Sequence, residues 1–423
     1  MNKADLIQKL KNMEDVTPEE KAFLINLVNI KKKYGLVWED KPEAVEEKLR
    51  TMLPVLREVE EKRILAQVRQ VPTSQSQIPF EVGKNVLEEK AIVPNHLIIE
   101  GDNLHALTSL SFTHEGLIDV IYIDPPYNTG NKDFKYHDAF KDEPEFIDKE
   151  HPFRHSTWLS FIYKRLLIAK RLLKDTGVIF ISIDDNEQAQ LKLIADEIFS
   201  EKCHVATLPV IMNLKGNPDN YGFSDTHEYC MVYTKIEKNC LFGSFEVDEE
   251  AIENDWEEDE HGLFKKADTL RRTGQDAIRE RRQKGWFPVF ITPENKVYVT
   301  EDNLPLSDQD LTLLPVNEDG VELSWTWGKK KITDEPYNLI VINGRNGKNI
   351  YKKQRPQLGE LPTKKPKSIF YKPEYSTSTS TSDLKKILGA KKFDAPKPVS
   401  FIQDIINIGG NKNCKVLLRP HSA

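Results

Sequence analysis

The chain has 423 residues, 60 of them Lys or Arg and 67 Asp or Glu for a net charge of −7, and 39% of its residues are hydrophobic. No apolar run approaches the roughly 18 residues that a spanning helix needs, and MNKADLIQKLKNMED has no apolar h-region, so composition argues against a membrane or secreted protein and predicts a cytoplasmic one. The four cysteines, Cys203, Cys230, Cys240 and Cys414, are too scattered for a disulfide framework or a paired zinc motif, and no Gly-x-Gly or phosphate loop supports a nicotinamide or nucleotide-hydrolysing enzyme.

Thr17-Pro18-Glu19-Glu20 reads as a capping box, and Phe23, Leu24, Leu27 and Val28 recur at helical spacing before Lys31 to Lys33 and Gly35. A second helix is expected from about Pro42 to Val68, which makes 1–70 a helical arm, either a docking or dimerisation element or an extension of the core. Residues 71–95, opening on the proline-marked polar cluster VPTSQSQIPFEVGKN, read as a linker.

Strand and helix then alternate. HLIIE (96–100) is a predicted strand and NLHALTSL a helix capped by Asp102 or Asn103. IDVIYID (118–124) is a second strand, ended by PPYNTG. WLSFIYKRLLIAKRLLKD (158–175) places Trp158, Ile162, Leu166, Ala169 and Leu173 on one helical face, and Gly177 ends it. GVIFISID (177–184) is a third strand, NEQAQLKLIADEIF a helix capped by Asp184 or Asp185, and HEYCMVYTK (227–235) a further strand. The pattern predicts an α/β core with a largely parallel sheet covered on both faces.

Residues 246–260 hold ten acids and no base and read as solvated surface. Residues 265–284 hold eight Lys or Arg against three acids, and 341–372 nine against Glu360 alone, a segregation of positive charge on a net negative chain. STSTSTS (376–382) reads as a flexible loop ending in a cap at Ser382.

In an open α/β sheet, ligands bind at the carboxyl ends of strands. Asp124-Pro125-Pro126-Tyr127 stands at such an end, and a rigid, NH-poor turn there offers two acceptors, the Asp124 carboxylate and the Pro125 carbonyl, to an amino group with two donors. Tyr127 adds a flat surface on which a base can stack. An exocyclic amine of a base is a poor nucleophile because its lone pair is delocalised. Two aligned acceptors favour the pyramidal form that frees the pair for attack on a sulfonium methyl, with no covalent enzyme intermediate.

DPPYNTG resembles the catalytic motif of amino-methylating DNA methyltransferases, which use S-adenosylmethionine and flip the target base, and GDNLHAL resembles their companion segment. With GVIFISIDDNEQAQLKLIADEIF, DTHEYCMVYTK, ELSWTWGKKK, KPKSIFYKPEYSTSTSTSDLK and FDAPKPVSFIQDII, the succession is similar to the methylation (Mod) subunit of type III restriction-modification systems, of the β-class, over nearly the whole chain. The resemblance implies a Rossmann-like S-adenosylmethionine-dependent methyltransferase core over 96–240, an inserted target-recognition region over 241–375, and a return to the core over 376–423. It implies N6 methylation of a flipped adenine, since Asp rather than Ser opens the motif, in double-stranded DNA, with a restriction (Res) subunit as partner and a homodimer as the assembly. Asp124, Pro125, Pro126 and Tyr127 would be catalytic. Asp102, with Asn103 beside it, Asp124 and Lys397, which would pair with the cofactor's carboxylate, would hold the cofactor.

The basic stretches, interleaved with Trp286, Phe287, Tyr351, Phe370 and Tyr371, suit phosphate contact plus base stacking. Lys265, Lys266, Arg271, Arg272, Arg281, Arg282, Lys352, Lys353 and Arg355 are the expected DNA contacts, and neutralising Lys352, Lys353 and Arg355 together is expected to reduce the salt dependence of binding.

The resemblance departs from the family at the C-terminus, where a strand ending in a Gly-x-Gly turn is expected after CKVL (414–417) and the sequence reads LRPHSA. The ending reads as a truncation or a shifted frame that leaves the strand bearing Asp124 with an unpaired edge. The alternative expectation is therefore a catalytically silent chain retaining only DNA or Res-subunit binding.

Overall fold

The computed structural model describes residues 9–13, 17, 18, 20, 21, 24, 38, 43–64, 96–131, 134–136, 145–216, 222–344, 347–356, 361–390, 396–410 and 413–419. They form two units, Met1–Gly243 with Lys367–Ala423, and Ser244–Pro366. The inserted unit lies inside the span 241–375 read from the sequence. Most of the first arm helix, the linker 71–95 and residues 393–395 of the FDAPKP segment lie outside the described residues. Among the described residues no helix is long and apolar enough to cross a membrane.

In the first unit, α1 is Ala44–Thr51, α2 Asn103–Ser111, β1 Ile118–Ile123, α3 Arg154–Leu172, β2 Leu173–Ile183, α4 Gln188–Phe199, β3 His204–Ile211, β4 His227–Thr234, α5 Thr377–Leu388, α6 Val399–Gly409 and β5 Val416–Arg419. The sheet order is β5-β1-β2-β4-β3. β5, β1 and β2 run parallel, with Val120 opposite both Val416 and Val178; β4 is antiparallel to β2, and β3, antiparallel to β4, runs in the direction of β2.

Side chains of a strand alternate between faces, and both faces are covered. Ile121, Ile123, Ile179, Ile181 and Ile183 join the cluster built on Trp158, Ile162 and Leu166 of α3 and Leu191 and Ile194 of α4. The alternate residues face α6, where Tyr122 meets Phe401 edge-on and Gly409 lies against Val120, Val178 and Phe180. A Cβ at Gly409 would fall 2.8 Å from Val178 Cγ1 and 2.9 Å from Phe180 Cε2. Gly409→Ala is therefore expected to destabilise the chain by about 1–3 kcal/mol through overpacking, read as a lowered urea midpoint.

Several expectations are corrected. The helix expected from Pro42 to Val68 stops at Thr51, because Pro54 follows and proline disfavours helical backbone in the residue before it; only a short 3-10 turn, Glu60–Lys62, comes after. What remains docks as an extension of the core: buried Arg165 of α3 donates to Glu43 at 2.6 and 3.0 Å, and Lys164 pairs with Glu46. The HLIIE run forms no strand, since β5 and β2 occupy both sides of β1, and Ile98 is exposed. α3 ends at Leu172 and β2 begins at once, so Gly177 is a strand residue beside the register shift at Ile118, where a Cβ would meet the Ile118 and Lys174 carbonyls at 3.0 Å.

α4 is capped by neither Asp184 nor Asp185. Its N-cap is Glu187, whose side chain is turned inward, while Asp184 accepts from Asn186 N at 2.9 Å. The Ser/Thr run is helical from Thr377, with Ser376 accepting from Thr379 N at 3.2 Å. β1 has a neighbour on each side, β5 being present from Val416 to Arg419, so the strand bearing Asp124 is not an edge.

In the inserted unit, Gly262–Thr269 pairs antiparallel with Glu257–Asp259 and with Gly347–Gln354, which pairs in turn with Leu339–Gly344. A core containing Leu270, Val289, Ile291, Trp325, Ile332 and Ile350 fills it.

Candidate active site

The Asp-Pro-Pro-Tyr turn leaves the carboxyl end of β1 as expected, and Asp124 is buried. The ladder extends to it, Asp124 N donating to the Arg419 carbonyl at 3.0 Å. Prolines supply no donors, so the carbonyls of the turn need partners from elsewhere. Trp158, fully buried on α3, gives its indole N–H to the Pro126 carbonyl at 2.7 Å. The turn closes on Asn128, fully buried at φ 59°, whose carbonyl accepts two bonds from Arg154, at 3.1 and 2.5 Å.

An antiparallel strand brings its first residues to the edge where parallel strands bring their last. β4 accordingly delivers Glu228 beside Tyr127, and the loop entering α6 delivers Lys397. Lys397 Nζ donates to Glu228 Oε1 and to the Tyr127 hydroxyl, both at 2.5 Å, and lies 3.6 Å from Asp124 Oδ1. The Tyr127 hydroxyl donates to Glu228 Oε2 at 3.1 Å. Burial works against the Lys397 charge, but Glu228 and then Asp124 outweigh it and hold its pKa above the ordinary lysine value. Burial pushes the Glu228 carboxyl up, Asp124 adding to the rise and Lys397 opposing it. Two carboxylates flank one ammonium, so the fully ionised cluster keeps one net negative charge.

Lys397 was expected at a cofactor carboxylate; its ammonium here is held by Glu228 and Tyr127 beside Asp124. Tyr127 is half-buried, with its hydroxyl anchored and Lys397 Nζ 4.9 Å from its ring centroid. Asp102 caps α2, accepting from Leu104 N at 2.8 Å and His105 N at 3.2 Å, both on Oδ1. Asn103 Oδ1 accepts from Arg165 Nε. Glu228 escaped the sequence reading because its role depends on strand order; the only local sign is an acid at the start of an otherwise apolar strand.

The expected DNA contacts divide. Arg355 grips Asp259 with two bonds, at 2.8 and 2.6 Å, and Lys353 adds a third at 2.6 Å, so Arg355, with Lys353, holds the Asp259 carboxyl far below its usual range. Lys265 pairs with Asp255 at 2.5 Å, and Lys352 lies 3.8 Å from Asp268. Arg271 donates to the Val316 carbonyl and Arg272 to the Trp325 carbonyl. The acidic run is thus not merely solvated surface: it forms a helix, Glu249–Asp255, and a strand, and neutralises the basic residues beside it. Lys353 and Arg355, expected as phosphate ligands, have their charged groups held by Asp259. Lys266 is exposed, 5.1 Å from the Tyr351 ring centroid. Arg281, Arg282 and Lys284 are exposed along an open groove of about 480 Å³ that Trp325 and Trp327 also line; Arg281 shares its charge with Asp276 at 2.7 Å.

Residues 118–417 match the N6_N4_Mtase family model, described as DNA methylase. The chain belongs to this DNA methylase family. It is 58% identical over 339 residues to the type III restriction-modification enzyme EcoPI Mod subunit of Escherichia phage P1, a match covering 76% of this chain and 52% of that one. It is 32% identical over 317 residues to the type II methyltransferase M.KpnI of Klebsiella pneumoniae, covering 75% and 72% of the two chains. Against the EcoP15I Mod subunit of Escherichia coli, 163 residues are 45% identical, covering 34% and 25%. The match therefore spans about half the length of the phage P1 relative. The matched span runs from the first residue of β1 into β5 and includes the Asp124 turn, Glu228 and Lys397.

Proposed function

We propose that the chain is the methylating part of a type III Mod subunit, transferring a methyl group from S-adenosylmethionine to the N6 amino group of adenine in double-stranded DNA, with a Res subunit and a second copy of the chain as partners. The observation that supports this most is the buried Asp124 carboxylate at the end of β1, in a turn whose Pro126 carbonyl is held by Trp158.

The residues fit the cofactor. The net negative charge of the Asp124, Glu228 and Lys397 cluster suits a cationic sulfonium, and Asp102 Oδ2 accepts from no described group, leaving it open to a ligand donor. Asp102, Asp124 and Lys397 are the residues that would hold it; Asn103, with its Oδ1 taken by Arg165, keeps only its amide nitrogen for that purpose. Bound S-adenosylmethionine supplies an electrophilic methyl group. Asp124 and the Pro125 carbonyl accept the two amino hydrogens of the flipped base, orienting the nitrogen and favouring its pyramidal form. Asp124 then takes the proton that the methylated nitrogen must lose. The Tyr127 ring, fixed through its hydroxyl, is the stacking surface for the base.

The test is incubation with methyl-labelled cofactor and duplex DNA, then nuclease digestion and mass spectrometry. N6-methyladenine is expected; N4-methylcytosine as the product would overturn the adenine assignment, and no labelled base would overturn the activity.

DNA affinity is expected to come from the exposed groove of the inserted unit. Replacing Arg281, Arg282 and Lys284 with Gln should lower the slope of log K against log salt by about 0.9 for each phosphate no longer neutralised. Replacing Lys353 and Arg355 should leave that slope unchanged and lower stability, because those charges hold Asp259. Binding isotherms at several salt concentrations check both.

A further inference from the structure

We propose that Asn128 and Glu187 share one proton in a cyclic carboxyl–carboxamide pair, and that Glu187 is thereby a positioning residue for the Asp124 to Tyr127 turn. Both side chains are fully buried. Asn128 Nδ2 donates to Glu187 Oε1 at 2.5 Å, and the His155 ring, through Nδ1, meets the same oxygen at 2.7 Å. Glu187 Oε2 and Asn128 Oδ1 are each buried without a hydrogen-bond partner among the described residues.

A carboxylate shares donors between its two oxygens. Here the Asn128 amide and the His155 ring both meet one oxygen and no described group meets the other; with His155 Nδ1 as a donor this is the pattern of a neutral carboxyl group, in which Oε1 is the carbonyl and Oε2 the hydroxyl. The hydroxyl needs an acceptor, and the amide that already donates to Oε1 carries an acceptor that lacks a donor. A single proton on Oε2 closes the ring and satisfies both atoms, each of which is costly to leave unpaired. Exchanging the amide oxygen and nitrogen of Asn128 would put two acceptors 2.5 Å apart, which also requires the proton.

The electrostatic surroundings agree. Burial raises the Glu187 pKa, and Asn128, His155 and Arg154 oppose the rise without cancelling it. His155 and Arg154 are the charged or titratable groups facing it from α3; Asp184, in the turn before α4, is occupied by Asn186. Asn128 follows Tyr127 directly and its backbone is held by Arg154, which also donates to Asn186 at 2.8 Å. The turn carrying Asp124 is thus tied to the start of α4 through this pair.

An acid whose pKa is raised in the folded state stabilises that state relative to its ionised form below the ordinary carboxyl value, and the contribution is lost as pH rises through the folded value. Glu187→Gln replaces the shared proton with an amide N–H that donates to Asn128 Oδ1 and never titrates. Its thermal midpoint is expected to equal or exceed that of the unaltered chain at about pH 8 to 9, with the two converging below about pH 4.3. A Gln variant less stable at alkaline pH would mean that Glu187 is ionised and paired with a charged His155, and would overturn the proposal.

The positioning role rests on the methyltransferase reading and has its own measurement. The single-turnover methylation rate of the unaltered chain should fall on the alkaline side, and Glu187→Gln should abolish that fall; an identical fall in both overturns the role. Glu187→Ala, which leaves Asn128 without a partner, should lose about tenfold to a hundredfold in rate. The midpoint series needs no methylation, so failure of the functional reading and failure of the shared proton give separate signals.

Discussion

Asp124→Ala is expected to reduce single-turnover methyl transfer by about a thousandfold or more while DNA affinity stays within a few-fold. Preorganised groups aimed at the reacting atoms contribute about 10²–10³ each in rate, and Asp124 is asked both to orient the amino nitrogen and to receive its proton. Affinity is asked of the inserted unit, where Arg281, Arg282 and Lys284 are exposed, and phosphate contacts supply most of nonspecific binding. Fold stability should change little, because Lys397 keeps Glu228 at 2.5 Å and the cluster's charge falls from one negative to neutral. Asp124→Asn separates the two duties: it keeps the shape of the side chain but turns one acceptor into a donor and removes the base. An Ala variant that methylates at more than a tenth of the unaltered rate would remove Asp124 from the chemistry.

The parts of this site that were legible in the sequence are the local ones. A Pro-Pro pair after IDVIYI has to end a strand, Asp102 or Asn103 before an apolar helical stretch has to cap it, Asp102 being the one that does, and Trp158 four residues ahead of Ile162 has to share its buried face. The parts that were not legible depend on which strands become neighbours. Glu228 reaches Tyr127 only because β4 is antiparallel to β2, with Ile183 opposite Tyr229, and periodicity does not report strand direction. Asn128 and Glu187 are 59 positions apart in sequence. At Pro54 a second local signal stops the helix that periodicity extends, and at Asp259 tertiary pairing engages the charges of Lys353 and Arg355, which composition alone leaves open. HLIIE shows the same limit from the other side: β propensity makes no strand where the neighbouring positions are taken.

Lys397→Met is expected to cost about 3–5 kcal/mol at neutral pH, because removing one partner of a buried ion pair leaves uncompensated charge. Here it leaves two carboxylates, Asp124 and Glu228, where one ammonium had served both at 3.6 and 2.5 Å. The pH dependence of the loss identifies its cause. Burial and Asp124 already raise the Glu228 pKa, Lys397 being the main group opposing them, so without Lys397 the Glu228 pKa rises further. Protonating Glu228 relieves the repulsion. The variant should therefore recover part of its deficit as pH falls through that raised value, and the full deficit should be present above it. Glu228→Gln added to Lys397→Met should recover a similar part at neutral pH, since a neutral amide leaves Asp124 as the only buried charge of the cluster. Urea midpoints at about pH 5 and 8 for the single and double variants decide the matter. A deficit independent of pH and unrelieved by Glu228→Gln would mean that Lys397 stabilises the fold through its hydrogen bond to the Tyr127 hydroxyl rather than through its charge.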